Sequence, residues 1–266
     1  MIYLNNKLVE TKQFPNGETL IDSNRLNILK NNSIILKFEN DMDLMNLMFL
    51  TKHLDNTSVK SELVILYMPY SRMDRTEGQT VFTLKYVCDL INNLNFDRVV
   101  ISEPHSDVCV ALLNRVKVFN TSSYIAEKLM KDLNFGENDY LFYPDGGALK
   151  RYSKQIKYDR ILTANKERDF STGRIKKLTI EGTVPTLNSF RVVIVDDLCS
   201  KGGTFMLSAE KLKELGATDI YLVVTHCEDT IFEGELLTTD LIKKIYTTDS
   251  ILTKSHEKIQ VVKGLI

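Results

Sequence analysis

What this chain lacks already excludes several kinds of protein. Among its 266 residues Lys plus Arg number 34 and Asp plus Glu 35, so there is no net positive field to draw in a nucleic-acid backbone. No nucleic-acid partner is expected, and any bound anion must be held by local charge. The chain has no run of 18 consecutive apolar residues, and its opening MIYLNNKLVE lacks a basic stretch followed by an apolar one. The expectation is a soluble, cytoplasmic protein with no membrane partner. Four cysteines, Cys88, Cys109, Cys199 and Cys227, show neither C-x-x-C pairing nor zinc-like spacing, which is the habit of reduced, buried thiols. Low-complexity segments are absent, as are the Walker spacing G-x-x-x-x-G-K and the dinucleotide fingerprint G-x-G-x-x-G.

What is present is a succession of short apolar runs of strand length: Ile34 to Phe38, Leu63 to Met68, Val99 to Ser102, Tyr140 to Tyr143, Arg160 to Thr163, Val192 to Val195 and Ile220 to Thr225. Helical periodicity fills most gaps between them, over Asp43 to Leu54, Thr83 to Leu94, Ser123 to Leu133 and Thr204 to Leu215. Alternating strands and helices predict an α/β fold with mainly parallel sheets flanked by helices. The polar stretch NFGEND, Asn134 to Asp139, is the natural break, dividing the chain into domains 1–137 and 138–266.

The most informative stretch is FRVVIVDDLCSKGGTF, Phe190 to Phe205. A β-branched run suited to a sheet interior ends in Asp196 and Asp197. Then Ser200, Lys201, Gly202, Gly203 and Thr204 lead into a helix, where backbone N–H groups converge and an anion such as phosphate is well held. Two carboxylates beside such a cradle would repel a phosphate unless a sugar or a metal lay between, so Asp196 and Asp197 point to ribose hydroxyls or Mg2+.

Ligands of open α/β sheets bind beyond the carboxyl ends of the strands. Four more such places carry unusual chemistry: PYSRMDR with Arg72, Asp74 and Arg75; SEPHSD with Glu103 and His105; PDGGALKR with Asp145 and, on the helix after it, Lys150 and Arg151; and ANKERD with Lys166 and Arg168. Singly each is weak, since Pro-Asp-Gly-Gly is a turn signature by itself. Together they supply metal ligands, a cationic segment and two anion-binding turns.

With these motifs in order, the chain resembles the ribose-phosphate pyrophosphokinase (PRPP synthetase) family. The resemblance runs from FPNGE at Phe14 to Glu18 through MPYSRMDR, SEPHS, PDGGALKR, NKER, VVIVDDLCSKGGT and GATDIYLVVTH to TTDSI and KIQVV. It implies two phosphoribosyltransferase-like domains and transfer of the β,γ-diphosphoryl group of ATP to the anomeric hydroxyl of ribose 5-phosphate, with Mg2+ and release of AMP. By the same resemblance, Arg72 and Asp74 contact ATP. His105, with Glu103 nearby, serves a metal and the ATP phosphates, and Asp145 is a second metal contact. Lys166 and Arg168 are the catalytic cations of a mobile loop. Asp196 and Asp197 hold the ribose hydroxyls, and Ser200 to Thr204 hold the 5-phosphate. Phe14, Asn16 and Glu18 match a loop that reaches the adenine pocket of a neighbouring subunit, implying a homo-oligomer, a dimer or hexamer.

The chain departs from the family in three places. The phosphate loop, usually Asp-Thr-Gly/Ala-Gly-Thr, is Ser200 to Thr204 here, with an acid lost and a cation gained. Arg-Gln-Asp becomes Arg72-Met73-Asp74, and the sequence stops at Ile266 without the family's terminal helix. The added cation leaves a larger acceptor such as ADP-ribose as an alternative, with Lys201 on its extra phosphate. Two further alternatives are a phosphoribosyltransferase, which shares the VVIVDD loop but does not require Arg72, His105 or Lys166, and a non-catalytic regulatory homologue, which does not require the full set.

Overall fold

A computed structural model describes residues 1–264 except 58, 77, 169–174 and 184–188, with the backbone alone at 167–168 and 175–177. The chain forms two compact units, one ending at Phe119 and the other beginning at Asn120. No helix among the described residues is long and apolar enough to cross a membrane.

Unit 1 contains β1 (Ile2–Leu4), β2 (Lys7–Leu8), β3 (Thr11–Gln13), β4 (Thr19–Ile21), β5 (Asn31–Leu36), α1 (Met42–Asp55), β6 (Lys60–Ile65), α2 (Thr83–Asn93), β7 (Arg98–Ser102), α3 (Asp107–Leu112) and β8 (Val116–Phe119). Its sheet has the order β2-β1-β5-β6-β7-β8. Strands β5 to β8 are parallel and β1 is antiparallel to both its neighbours. Strands β3 and β4 form a separate hairpin. Ile34, Leu63, Ile65, Val99 and Ile101 pack with Leu47, Leu50 and Leu54 of α1 and Leu84, Cys88 and Ile91 of α2 in one core.

Unit 2 contains α4 (Thr121–Asp132), β9 (Tyr140–Tyr143), α5 (Gly146–Tyr152), β10 (Ile161–Arg168), β11 (Ile175–Gly182), β12 (Phe190–Cys199), α6 (Gly203–Glu214), β13 (Ala217–Cys227), β14 (Lys244–Thr247) and β15 (Ile259–Val261). The strand order is β11-β10-β9-β12-β13-β14-β15, parallel throughout except for the β10–β11 hairpin. The run Val192 to Val195 shows no polar alternation because both faces of β12 are covered. Val192 and Ile194 meet Phe205, Ala209 and Leu212 of α6, whereas Val193 and Val195 meet Ile125 and Leu129 of α4 and Tyr152 of α5. All four valine and isoleucine side chains of the run are fully buried, each contributing about 1.5–3 kcal/mol.

The structure sets the division before α4 rather than after it, unlike the boundary expected at 137/138. The reason is packing: Ile125, Ala126, Leu129 and Met130 of α4 share a core with Leu141, Tyr143 and Val193 of the second sheet. The polar stretch NFGEND is instead a braced turn inside unit 2. There Asp139, itself buried, accepts from the Gly136 N–H at 2.9 Å and from the Arg191 N–H and Nε at 3.0 Å each. Strand β12 also runs further than expected, through Asp196 and Asp197 to Cys199, because β13 pairs with it as far as Cys227.

Candidate functional site

Connections leave unit 2's sheet in opposite directions from two adjacent strands. From β9 the chain passes through α5 to β10 on one side, and from β12 it passes through α6 to β13 on the other. That reversal of winding between β9 and β12 opens a crevice at the carboxyl ends of the strands. Asp145 follows β9, and Asp196 and Asp197 lie near the carboxyl end of β12, so topology places all three carboxylates at this crevice.

Asp145 caps α5, accepting from the Ala148 N–H at 2.9 Å, and its other oxygen receives the Lys166 ammonium at 3.0 Å. Burial opposes ionisation of this carboxyl, but the Ala148 N–H, the Lys166 charge and the Gly147 N–H outweigh it and hold the pKa below the usual carboxylate range. A Cβ at Gly147 would make a tight contact, 3.2 Å from Asp145 Oδ1. Lys166 sits on β10 and its side chain is only 8% exposed. The pair borders a cleft of about 460 Å3 that Gly146, Thr163 and Glu181 also line. Arg168 is also on β10, but its side chain lies outside the described residues.

Asp196 is pushed well above the usual carboxylate range, first by burial, then by the charges of Asp197 and Asp145. Its Oδ1 accepts the Asp197 N–H at 2.9 Å. Asp197 is 6% exposed, with Arg151 Nη1 3.5 Å from its Oδ2. Beneath them the buried Ser122 donates to the Asp196 carbonyl at 2.7 Å and hydrogen-bonds Thr225 at 2.7 Å. A buried carboxyl whose proton affinity is raised by two neighbouring carboxylates is suited to a cation or to hydroxyl donors.

The loop after β12 turns at Gly202, whose φ of 84° is left-handed, a conformation that glycine adopts without strain. A Cβ on Gly202 would also stand 2.1 Å from Leu236 Cδ1. Helix α6 starts at Gly203, so its first N–H groups face the loop. Thr204 is on its first turn, with its carbonyl accepting the Ser208 hydroxyl at 2.8 Å. Lys201 Nζ meets Glu233 Oε2 at 2.7 Å on the surface, and Ser200 Oγ lies 3.0 Å from Thr230 Oγ1.

The remaining candidates belong to unit 1. Arg72 and Asp74 lie on the loop between β6 and α2, and Tyr70 on that loop donates to Asp41 after β5. Glu103 directly follows β7, is 2% exposed and has a left-handed φ of 41°, a geometry that concentrates at functional sites. His105 is half-buried two residues on. Phe14, Asn16 and Glu18 form the tip of the β3–β4 hairpin. Phe14 is 51% exposed, and Asn16 Nδ2 donates to Glu18 Oε2 at 2.8 Å. The resemblance assigned His105, Glu103 and Asp145 to metal, but His105 and Glu103 belong to unit 1 and Asp145 to unit 2. Among the described residues no three His, Cys, Asp or Glu side chains form a ready metal cage.

Sequence reasoning missed Glu228, Thr230, Glu233, Gly234 and Leu236, which back the β12–α6 loop. The signal was available, since these residues follow β13 and so stand at another strand's carboxyl end.

No protein-family model matches the chain. It is 29% identical over 268 residues to a ribose-phosphate pyrophosphokinase of Sulfurisphaera tokodaii, covering 96% of this chain and 88% of that protein. A ribose-phosphate pyrophosphokinase of Mycoplasmopsis pulmonis is 29% identical over 266 residues, covering 94% and 79%. The crystal structure of phosphoribosylpyrophosphate synthetase from Mycobacterium smegmatis matches with a TM-score of 0.74 at 17% identity, over 95% of this chain and 85% of that one. In sequence this chain is similar to ribose-phosphate pyrophosphokinases, and in fold to a phosphoribosylpyrophosphate synthetase.

Proposed function

We propose that this protein is a ribose-phosphate diphosphokinase, transferring the β,γ-diphosphoryl group of ATP to the anomeric hydroxyl of ribose 5-phosphate. The observation that carries the reading is the crevice of unit 2. Two carboxylates, an anion-binding turn opened by Gly202 and the Lys166–Asp145 pair all stand at the strand ends flanking one reversal of the sheet.

In this reading the backbone N–H groups from Lys201 to Thr204 hold the 5-phosphate, and Asp196 and Asp197 accept the ribose 2- and 3-hydroxyls. The anomeric oxygen then bonds to the β-phosphorus and gives up its proton to solvent, as the bond from that phosphorus to the oxygen bridging it to the α-phosphorus breaks and AMP leaves with that oxygen. Lys166, with Arg168, stabilises the charge on the transferring group, where a placed cation contributes most. Arg72, Asp74, His105 and the Phe14–Glu18 tip are the proposed nucleotide contacts, the last of these for a neighbouring subunit in a homo-oligomer. The carboxylates suit Mg2+, which binds through one or two of them plus substrate phosphates and needs no closed protein cage. Asp145 would hold it in unit 2, and His105 with Glu103 would serve in unit 1. Bound Mg2+ supplies neutralisation of the phosphate oxygens.

The larger acceptor ADP-ribose would need a cation for its second phosphate, and the Lys201 ammonium already has a carboxylate partner in Glu233. Ribose 5-phosphate, in keeping with the names of the similar proteins, is the favoured acceptor. The test is incubation with Mg2+-ATP and either sugar, with products identified by mass. A diphosphoryl gain on ribose 5-phosphate with stoichiometric AMP is the expected result. Adenosine diphosphate as the nucleotide product, or transfer to ADP-ribose alone, refutes the proposal.

A further inference from the structure

We propose that Thr230 is a positioning residue for the β12–α6 loop, acting through Ser200, and that the segment Glu228 to Leu236 forms the fixed back of that loop. The inference rests on the reading that this loop holds the acceptor's phosphate. Its starting point is a count of hydroxyl protons. Thr230 Oγ1 donates to Glu228 Oε2 at 3.0 Å, and a threonine hydroxyl has one proton to give. The 3.0 Å contact between Ser200 and Thr230 must then run from Ser200 to Thr230. The Ser200 proton is thus committed away from the crevice. Ser200 anchors the loop, and donation to phosphate falls to the backbone N–H groups and Thr204.

Other contacts point the same way. The Glu228 N–H donates to the Cys199 carbonyl at 2.8 Å, at the base of the loop. Gly234 lies so close that a Cβ would be 1.9 Å from the Lys201 carbonyl oxygen, and Leu236 fills the space beside Gly202. The backing segment is itself fixed on its far side. Ile231 is fully buried in the α6-side core, and Asp229 accepts from the Thr253 N–H at 2.9 Å and from the Thr253 hydroxyl. A loop held from behind presents its N–H groups already ordered, which lowers the entropy lost on binding.

Thr230→Val removes the hydroxyl and keeps the shape, and Thr230→Ser keeps the hydroxyl. Ribose 5-phosphate affinity is measured by titration calorimetry without nucleotide, alongside KM for each substrate, kcat and thermal melting. Thr230→Val should weaken ribose 5-phosphate binding and raise its KM about tenfold, with kcat and the KM for ATP within about twofold. Thr230→Ser should stay within about twofold of the parent on all counts. An unchanged affinity in Thr230→Val overturns the proposal, as does a Thr230→Ser variant equally weakened, or a lower melting temperature as the sole effect. Should the parent bind ribose 5-phosphate but release no AMP from ATP, the proposed reaction fails while the affinity comparison still decides the role of Thr230. A parent that binds neither ribose 5-phosphate nor inorganic phosphate overturns both.

Discussion

Asp196→Asn should make the fold more stable and the proposed acceptor site worse. The carboxylate is raised far above its ordinary value near 3.8 by burial and by the charges of Asp197 and Asp145, so its ionised form opposes folding at neutral pH. Asparagine keeps the oxygen that accepts the Asp197 N–H while losing the charge. The variant should therefore melt at a higher temperature at pH 7.5, each 1 kcal/mol gained raising the melting temperature of a unit of this size by about 2–4 °C. The pH dependence provides the control. A carboxyl with a raised folded-state pKa destabilises nothing below its unfolded value and reaches full effect above the folded one. The variant's advantage should therefore vanish near pH 3.8 and grow to a plateau as pH rises. At the same time a charge-assisted bond to a ribose hydroxyl is lost, at about 1.5–3 kcal/mol, which raises the KM for ribose 5-phosphate by about 10- to 100-fold. Melting curves across pH with steady-state kinetics read both effects. A lower melting temperature at pH 7.5, or an advantage that persists at low pH, refutes the electrostatic account.

Three other substitutions have definite expectations. Lys166→Met, measured by AMP release, should lower kcat by about 100-fold or more, and unchanged release removes Lys166 from the mechanism. Gly202→Ala forces a side chain into a left-handed backbone and against Leu236, at about 1–3 kcal/mol in denaturant melts. Pairing it with Leu236→Ala should recover the part due to the collision but not the backbone part. Asp139→Ala leaves the Arg191 guanidinium without its carboxylate and should cost about 2–3 kcal/mol with no change in either KM. Because the Asp139 pKa is lowered, with the Arg191 and Gly136 bonds overcoming burial, its stabilisation is present above the ordinary carboxylate value and lost as pH falls through the folded-state value. The variant's acid limb should accordingly be shallower.

Much of the fold was legible because buried parallel strands leave a clear trace. Tyr140–Tyr143 coincides with β9, and Val192 to Val195 with the middle of β12, since a strand covered on both faces needs an unbroken apolar run. The short strands β1 to β4, β14 and β15 left no such trace. Lys7–Leu8 and Thr11–Gln13 are exposed throughout, so burial imposes no pattern on them. The boundary at NFGEND was misleading for a related reason. A turn rich in Asn, Asp and Gly looks the same in sequence whether it links two domains or braces one, and the Arg191 side chain that makes it a brace comes 52 residues after Asp139.

By itself the sequence determined the α/β alternation, the Asp196–Asp197 pair, the glycine turn into a helix, and the placement of charged residues after strand ends. Those are properties of neighbouring residues, set by local sterics and hydrogen bonding. Only the tertiary structure decided which strands lie side by side. It put Asp145 next to Asp196 across β9 and β12, set Lys166 on Asp145, engaged Lys201 with Glu233, and brought Thr230 behind Ser200. Each pairing joins residues separated by 21 to 51 positions, and no local rule fixes contacts at that range. The strand order and the direction of winding do.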